Sequence, residues 1–201
     1  MEQIDAVTRL IAVYKKLPGI GNKTAERLAY ATLSFTPEQL DAFTEALKNV
    51  KEHVHPCPRC GMMIDTPFCP ICDDQVRDSK TLLVVLDAKN VLSFEKTGKY
   101  NGKYFVLGGT LSPLKGIGPE QIRLPELKKL VLAEKTEEVI LACSSTVEGE
   151  LTARYINNYL SDTPVKITHL AYGLPVGADL DYVDELTIER SLKARVDMKG
   201  E

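Results

Sequence analysis

The sequence predicts an α+β chain in several parts: a helical hairpin at the N-terminus, a four-cysteine zinc knuckle, and a C-terminal α/β domain on a largely parallel sheet. Three observations carry that expectation. Apolar residues recur at helical spacing on either side of Leu17-Pro18-Gly19-Ile20-Gly21, four of the five cysteines crowd into residues 57–72, and beyond residue 79 short apolar runs alternate with helical patterns. The regions so defined are 1–54, 55–78, 79–176 and an acidic segment, 177–201.

In the first region Ile4, Val7, Leu10 and Ile11 mark one helix and Ala25, Leu28, Ala29 and Leu33 a second. Pro18 restricts φ in the turn between them, and Gly19 and Gly21 permit positive φ and a close approach of backbone. Asn22 is the expected cap of the second helix, whose first amides and dipole then form a phosphate site. Between Arg9 and Arg27 five basic residues (Arg9, Lys15, Lys16, Lys23 and Arg27) face one acid, Glu26. The pattern resembles the helix-hairpin-helix motif, whose Gly-x-Gly turn holds DNA backbones without reading sequence. On that resemblance Arg9, Lys16, Gly19, Gly21, Lys23 and Arg27 are the candidate DNA contacts. An ordinary helical hairpin with glycines chosen for packing is the alternative. Thr36-Pro37-Glu38 then opens a third helix, with Pro37 in its first turn and Asp41, Glu45 and Lys48 outward.

The second region is Cys57-x2-Cys60-x8-Cys69-x2-Cys72, two Cys-x-x-Cys turns held by prolines and a glycine. Four thiolates at about 2.3 Å close the shell of a Zn2+ ion, leaving no position for water or substrate, so one structural zinc is expected. Disulfides fit poorly, because nothing in the chain points to export. His53 and His55 lie near enough in sequence to substitute as ligands, although four sulfurs suffice, and Cys143 reads as a small core residue.

From residue 82 onward strands are expected at 82–86, 104–107, 139–143 and 165–168, with helices at 90–97 and 148–160. Pro119 and Pro125 argue against helices around Gly116-Ile117-Gly118-Pro119, which reads as a loop. Lys96, Lys99 and Lys103 with Tyr100 and Tyr104 read as a basic aromatic loop, either solvated or able to stack on single strands.

Ala142-Cys143-Ser144-Ser145-Thr146-Val147-Glu148-Gly149-Glu150 resembles the third-strand end of a Toprim domain, in which an Asp-x-Asp pair precedes Glu-Gly-Glu. Ser144 and Thr146 stand at the two aspartate positions, and Leu86 stands where the first strand would end in a catalytic glutamate. Mg2+ needs hard oxygen ligands, and two-metal phosphoryl chemistry needs several carboxylates. Asp87 is one residue late, on the opposite face of a strand from Leu86. A non-catalytic scaffold is therefore expected. The alternative is a Toprim-type metal-dependent nuclease or primase using Asp87, Glu148 and Glu150.

The order of these parts, with Gly108-Gly109-Thr110-Leu111-Ser112-Pro113 and Gly173-Leu174-Pro175-Val176-Gly177, resembles the RecR family of bacterial recombination mediators from about Leu10 to Arg195. The resemblance implies a non-enzymatic DNA clamp acting with RecO and RecF to help load RecA on single-stranded DNA. It also implies a ring-shaped homotetramer joined through the N- and C-terminal regions, so that 177–201 doubles as an oligomerisation segment. Glu148 and Glu150 become candidates for meeting a basic partner, though both equally suit the first turn of a helix. The family usually has Glu at Leu86 and Asp at Asn90.

Composition agrees with a globular protein: 44% hydrophobic, 26% charged, net charge −3. The charge is unevenly spread, since residues 179–189 hold five acids and no base. No apolar stretch approaches about 18 residues and Met1–Asp5 has no basic region leading into an apolar one, so a cytoplasmic protein without membrane association is expected.

Overall fold

The computed structural model describes residues 4–197, which divide into two units between Val54 and His55. The first holds α1 (Asp5–Tyr14), α2 (Asn22–Leu33) and α3 (Pro37–His53). Val7 of α1 and Ala25 and Ala29 of α2 are buried, and the two alanines let the helices approach closely. Tyr14 and Thr32 share a hydroxyl hydrogen bond of 2.7 Å across the pair. Thr36 caps α3: its hydroxyl accepts from the Gln39 amide, the Gln39 side chain accepts from the Thr36 amide, and Pro37 opens the first turn. No residue of α3 is buried, so its apolar stripe of Leu40, Phe43, Leu47 and Val50 faces solvent in the single chain.

The second unit begins with a short antiparallel pair, β1 (His55–Pro56) and β2 (Met63–Ile64). There follow β3 (Asp78–Val85), α4 (Ala88–Glu95), β4 (Gly102–Val106), α5 (Leu124–Glu134), β5 (Glu138–Ala142), α6 (Val147–Tyr159), β6 (Lys166–His169) and α7 (Glu185–Lys193). Strands β3 to β6 form one parallel sheet in the order β4-β3-β5-β6. Alternate residues of β3 serve opposite faces, which is why its run of apolar residues is unbroken. Leu82 and Val84 pack with Leu124, Leu127 and Val131 of α5 and Ile156 of α6. Leu83 and Val85 pack with Val91 of α4, Tyr104 and the four clustered cysteines.

All four expected strands of this sheet form, with ends shifted by one to a few residues, and so do the helices expected at 90–97 and 148–160. Two α-helices among the described residues go beyond the sequence expectation, α5 and α7, as do three single 3-10 turns, one of them Pro119–Gln121 in the stretch read as a loop. Pro125, a helix breaker by sequence, lies in the first turn of α5, where its missing amide has no intrahelical partner to lose. The aromatic-loop expectation for Tyr100 and Tyr104 also fails. Tyr104 is a buried residue of β4, its ring 5.0 Å from that of Tyr100, and its hydroxyl donates to Glu95. The Tyr100 hydroxyl donates to the Thr81 and Lys103 carbonyls, so neither ring is open for stacking on a base.

Candidate nucleic-acid interface and metal centre

The turn between α1 and α2 is closed by the Ile20 amide donating to the Leu17 carbonyl at 3.2 Å, and Gly19 takes φ +79°, where a side chain would be strained. Gly21 is extended rather than left-handed and is itself the cap of α2, with Asn22 as the first helical residue. Asn22 as cap is thus corrected: a glycine at that position satisfies the backbone geometry but carries no side-chain acceptor. No side chain caps α2, so its leading amides lack an internal side-chain partner, and an anion placed there meets them directly. Lys16, Gly19, Gly21, Lys23 and Arg27 are all exposed around this turn and along α2. Arg9 is exposed as well, but pairs with Asp5 at 3.2 Å one helical turn away.

The sulfurs of Cys57, Cys60, Cys69 and Cys72 lie within 4.8 Å of one another and all four residues are buried. Cys60–Cys69 and Cys57–Cys72 are separated by 3.6 and 3.9 Å. A tetrahedron with metal–sulfur bonds of about 2.3 Å has edges of about 3.8 Å, so the donor set fits a zinc ion. In each Cys-x-x-Cys turn an amide returns to the first cysteine, Gly61 to the Cys57 carbonyl and Asp73 to that of Cys69. The Cys72 thiol is drawn below the ordinary thiol range, chiefly by the neighbouring Cys60 thiol, with Cys69, Cys57 and the Arg59 cation assisting against burial. His53 and His55 lie outside the cluster and are exposed, their Nδ1 atoms beside the Asn49 and Pro56 carbonyls.

The knuckle is fastened to the sheet. Val106 of edge strand β4 donates its amide to the Cys60 carbonyl at 2.7 Å. Arg123, which no local pattern singled out, donates to the carbonyls of Pro58 and Arg59 at 3.1 Å and of Val106 at 3.2 Å. Its guanidinium stacks on Phe105, 4.7 Å from the ring centre. Lys103 adds a bond to the Cys72 carbonyl, and Arg59 pairs with Glu134 of α5. Gly61 follows from this crowding: a Cβ there would run into Arg123 and Val106.

At the C-terminal ends of the strands the expected carboxylate positions carry other work. Leu86 packs against the apolar core. Asp87 caps α4, accepting from the Lys89 amide at 2.9 Å, while the Asn90 side chain accepts from the Asp87 amide. The Ser144 and Thr146 hydroxyls are 3.0 Å apart, and Thr146 caps α6 by accepting from the Gly149 amide. Gly149 sits so close to Ser144 that a Cβ would collide with the Ser144 carbonyl. Glu148 is half-buried in the first turn of α6, and Glu150 is ion-paired with Arg190 of α7, whose guanidinium lies 4.8 Å from the Tyr172 ring centre. Among the described residues Asp87, Glu148 and Glu150 form no cluster able to hold a metal ion. Cys143 lines a crevice of about 720 Å³ beside Ser144, Arg154 and Arg190, and burial pushes its thiol up to about 11.

These features describe a Toprim-domain protein in which neutral residues occupy the metal-ligand positions, carried on one chain with a helix-hairpin-helix unit. The Toprim domain family matches residues 80–171, the family "RecR, helix-hairpin-helix" residues 7–51, and "RecR, C-terminal" residues 173–196. The Recombination protein RecR of Lactobacillus johnsonii is 43% identical over 193 residues, covering 96% of this chain and 97% of that protein. The chain belongs to the RecR family.

Proposed function

We propose that the protein is a non-catalytic DNA-binding recombination mediator that acts with RecO and RecF in recombinational repair to help load RecA on single-stranded DNA. The observation that carries this is the Gly19-Ile20-Gly21 turn, which offers uncapped α2 amides beside exposed Lys23 and Arg27 in a chain of the RecR family. Amides and flanking cations together suit phosphates, so affinity falls steeply with salt and depends little on sequence. The four cysteines hold one structural zinc.

The ring-shaped homotetramer is supported by α3, whose Leu40, Phe43, Leu47 and Val50 form an exposed stripe at coiled-coil spacing, with only Phe43 touching another ring, that of Phe35, among the described residues. The C-terminal segment 177–201, of which 198–201 lie outside the described residues, supplies the other contact. Copies of Lys23 and Arg27 around such a ring add weak contacts into a firm grip. Of the two candidate partner residues, Glu148 is the freer, because Glu150 is already paired with Arg190. Among the described residues no helix is long and apolar enough to cross a membrane; a cytoplasmic site of action follows from the proposed role on DNA.

The nuclease or primase reading is not favoured, because Asp87 is spent on capping α4 and Glu150 on Arg190. End-labelled gapped DNA incubated with the protein in Mg2+ and in Mn2+ tests both readings at once. Retarded but uncut DNA is expected; metal-dependent cleavage would overturn the non-catalytic reading.

A further inference from the structure

A zinc knuckle that follows a helix-hairpin-helix unit in sequence invites a nucleic-acid role, yet its outer face has the wrong charge for one. Residues 55–78 contain two arginines and four aspartates. Both arginines are committed, Arg59 to Glu134 and Arg77 to Glu95 and Asp74. A divalent ion held by four thiolates adds a formal charge of about −2 to the same module. Phosphates are repelled from such a surface.

That face is also apolar and shaped. Met63 is 52% exposed and Phe68 72% exposed. They line a groove of about 630 Å³ together with Ile64 and Pro70 and with three aspartates, Asp65, Asp73 and Asp74; no basic side chain lines it. The groove is held in shape before anything enters it. The Thr66 hydroxyl donates to the Phe68 carbonyl at 2.8 Å, and the Cys69 amide donates to Asp73 at 2.7 Å. A pre-set aromatic in an open groove lowers the ordering cost of a partner.

We infer that the outer face of the knuckle is a docking groove for a cationic polypeptide segment carrying an aliphatic or aromatic anchor. The anchor packs against Met63, Phe68 and Pro70, and flanking lysines or arginines meet Asp65 and the second oxygen of Asp73, whose first accepts from Cys69, while Asp74, shared with Arg77 and the Val76 amide, adds to the negative field. Charge complementarity selects such a segment over DNA. The inference is independent of the hairpin reading, since it uses none of its residues.

The test uses the full zinc-loaded chain and fluorescence anisotropy. The probe is a labelled dodecapeptide with two central leucines flanked by lysines; the controls replace the lysines by glutamates or the leucines by serines. Variants Phe68→Ser and Asp65→Lys alter exposed or solvent-facing side chains, and zinc content and melting temperature check that the knuckle is intact. The Lys/Leu peptide is expected to bind the parent at least about tenfold more tightly than either control, and each variant to lose about fivefold or more. Binding that both variants retain would place the peptide elsewhere on the acidic chain and overturn the inference. Loss of oligo(dT) affinity in Phe68→Ser would overturn it as well, making the groove a nucleic-acid contact.

Discussion

Val106 donates its backbone amide to the carbonyl of Cys60 at 2.7 Å, so the outer edge of the parallel sheet ends on a turn of the four-cysteine cluster rather than in solvent. Edge strands present unpaired amides that other chains can capture, and here the knuckle covers one. Removing zinc with a chelator, or Cys60→Ser, is therefore expected to lower the melting temperature of the whole second unit. Amide exchange at residues 104–107 rises with it. Mass-resolved hydrogen exchange checks this, and protection that survives metal loss would show the knuckle to be independent of the sheet.

Arg123 closes the same junction by reaching three carbonyls. Hydrogen bonds from a charged donor contribute about 1.5–3 kcal/mol each, but shared acceptors and solvent access reduce the sum. Arg123→Ala is expected to destabilise by about 2–4 kcal/mol. Arg123→Lys recovers little of that loss, because an ammonium cannot fork to acceptors on both sides. Denaturant titration of the three proteins gives the values directly.

Glu95 receives Arg77 at 2.6 Å and the Tyr104 hydroxyl at 2.7 Å, and these bonds hold its carboxyl below the ordinary 4.5 in the folded state, led by Arg77. A depressed folded-state value adds stability that is present above the unfolded value and lost as pH falls through the folded one. The melting temperature of the parent should exceed that of Glu95→Gln at neutral pH, and the gap should close as pH drops below about 4.5. A gap independent of pH would mean that the pair contributes through packing alone.

The start of α6 depends on Thr146 and Gly149. Thr146→Ala removes the cap and is expected to cost about 1 kcal/mol. Gly149→Ala drives a Cβ into the Ser144 carbonyl, so the loop must shift; about 1–3 kcal/mol is expected, more than for the cap. Thr146→Asp restores one carboxylate at the Toprim position while still able to cap. Thermal unfolding ranks the three.

The parts of this fold whose signals lie within a few residues of one another were legible in the sequence. The doubled Cys-x-x-Cys and the unbroken run Leu82–Val85 each have a single physical reading that tertiary contacts do not reverse. Elsewhere the deciding contact was far away. Arg123 meets Val106 across 17 residues and Arg190 meets Glu150 across 40, and nothing around either arginine marks it. Asn22 has a better capping side chain than Gly21, yet the backbone enters α2 one residue earlier, where extended φ and ψ suit the glycine. Tyr104 reads as exposed beside lysines until α4 brings Glu95 to its hydroxyl.

Holding DNA phosphates is the work proposed for the α1–α2 turn. The most direct measurement is a DNA-binding titration over a salt series, comparing the parent with Lys23→Ala/Arg27→Ala. Steeply salt-dependent binding is expected of the parent, and in the double variant a weaker affinity with a shallower salt slope, reduced for every DNA sequence alike. Affinity and slope unchanged by the two substitutions would contradict it and move the DNA contact away from the turn.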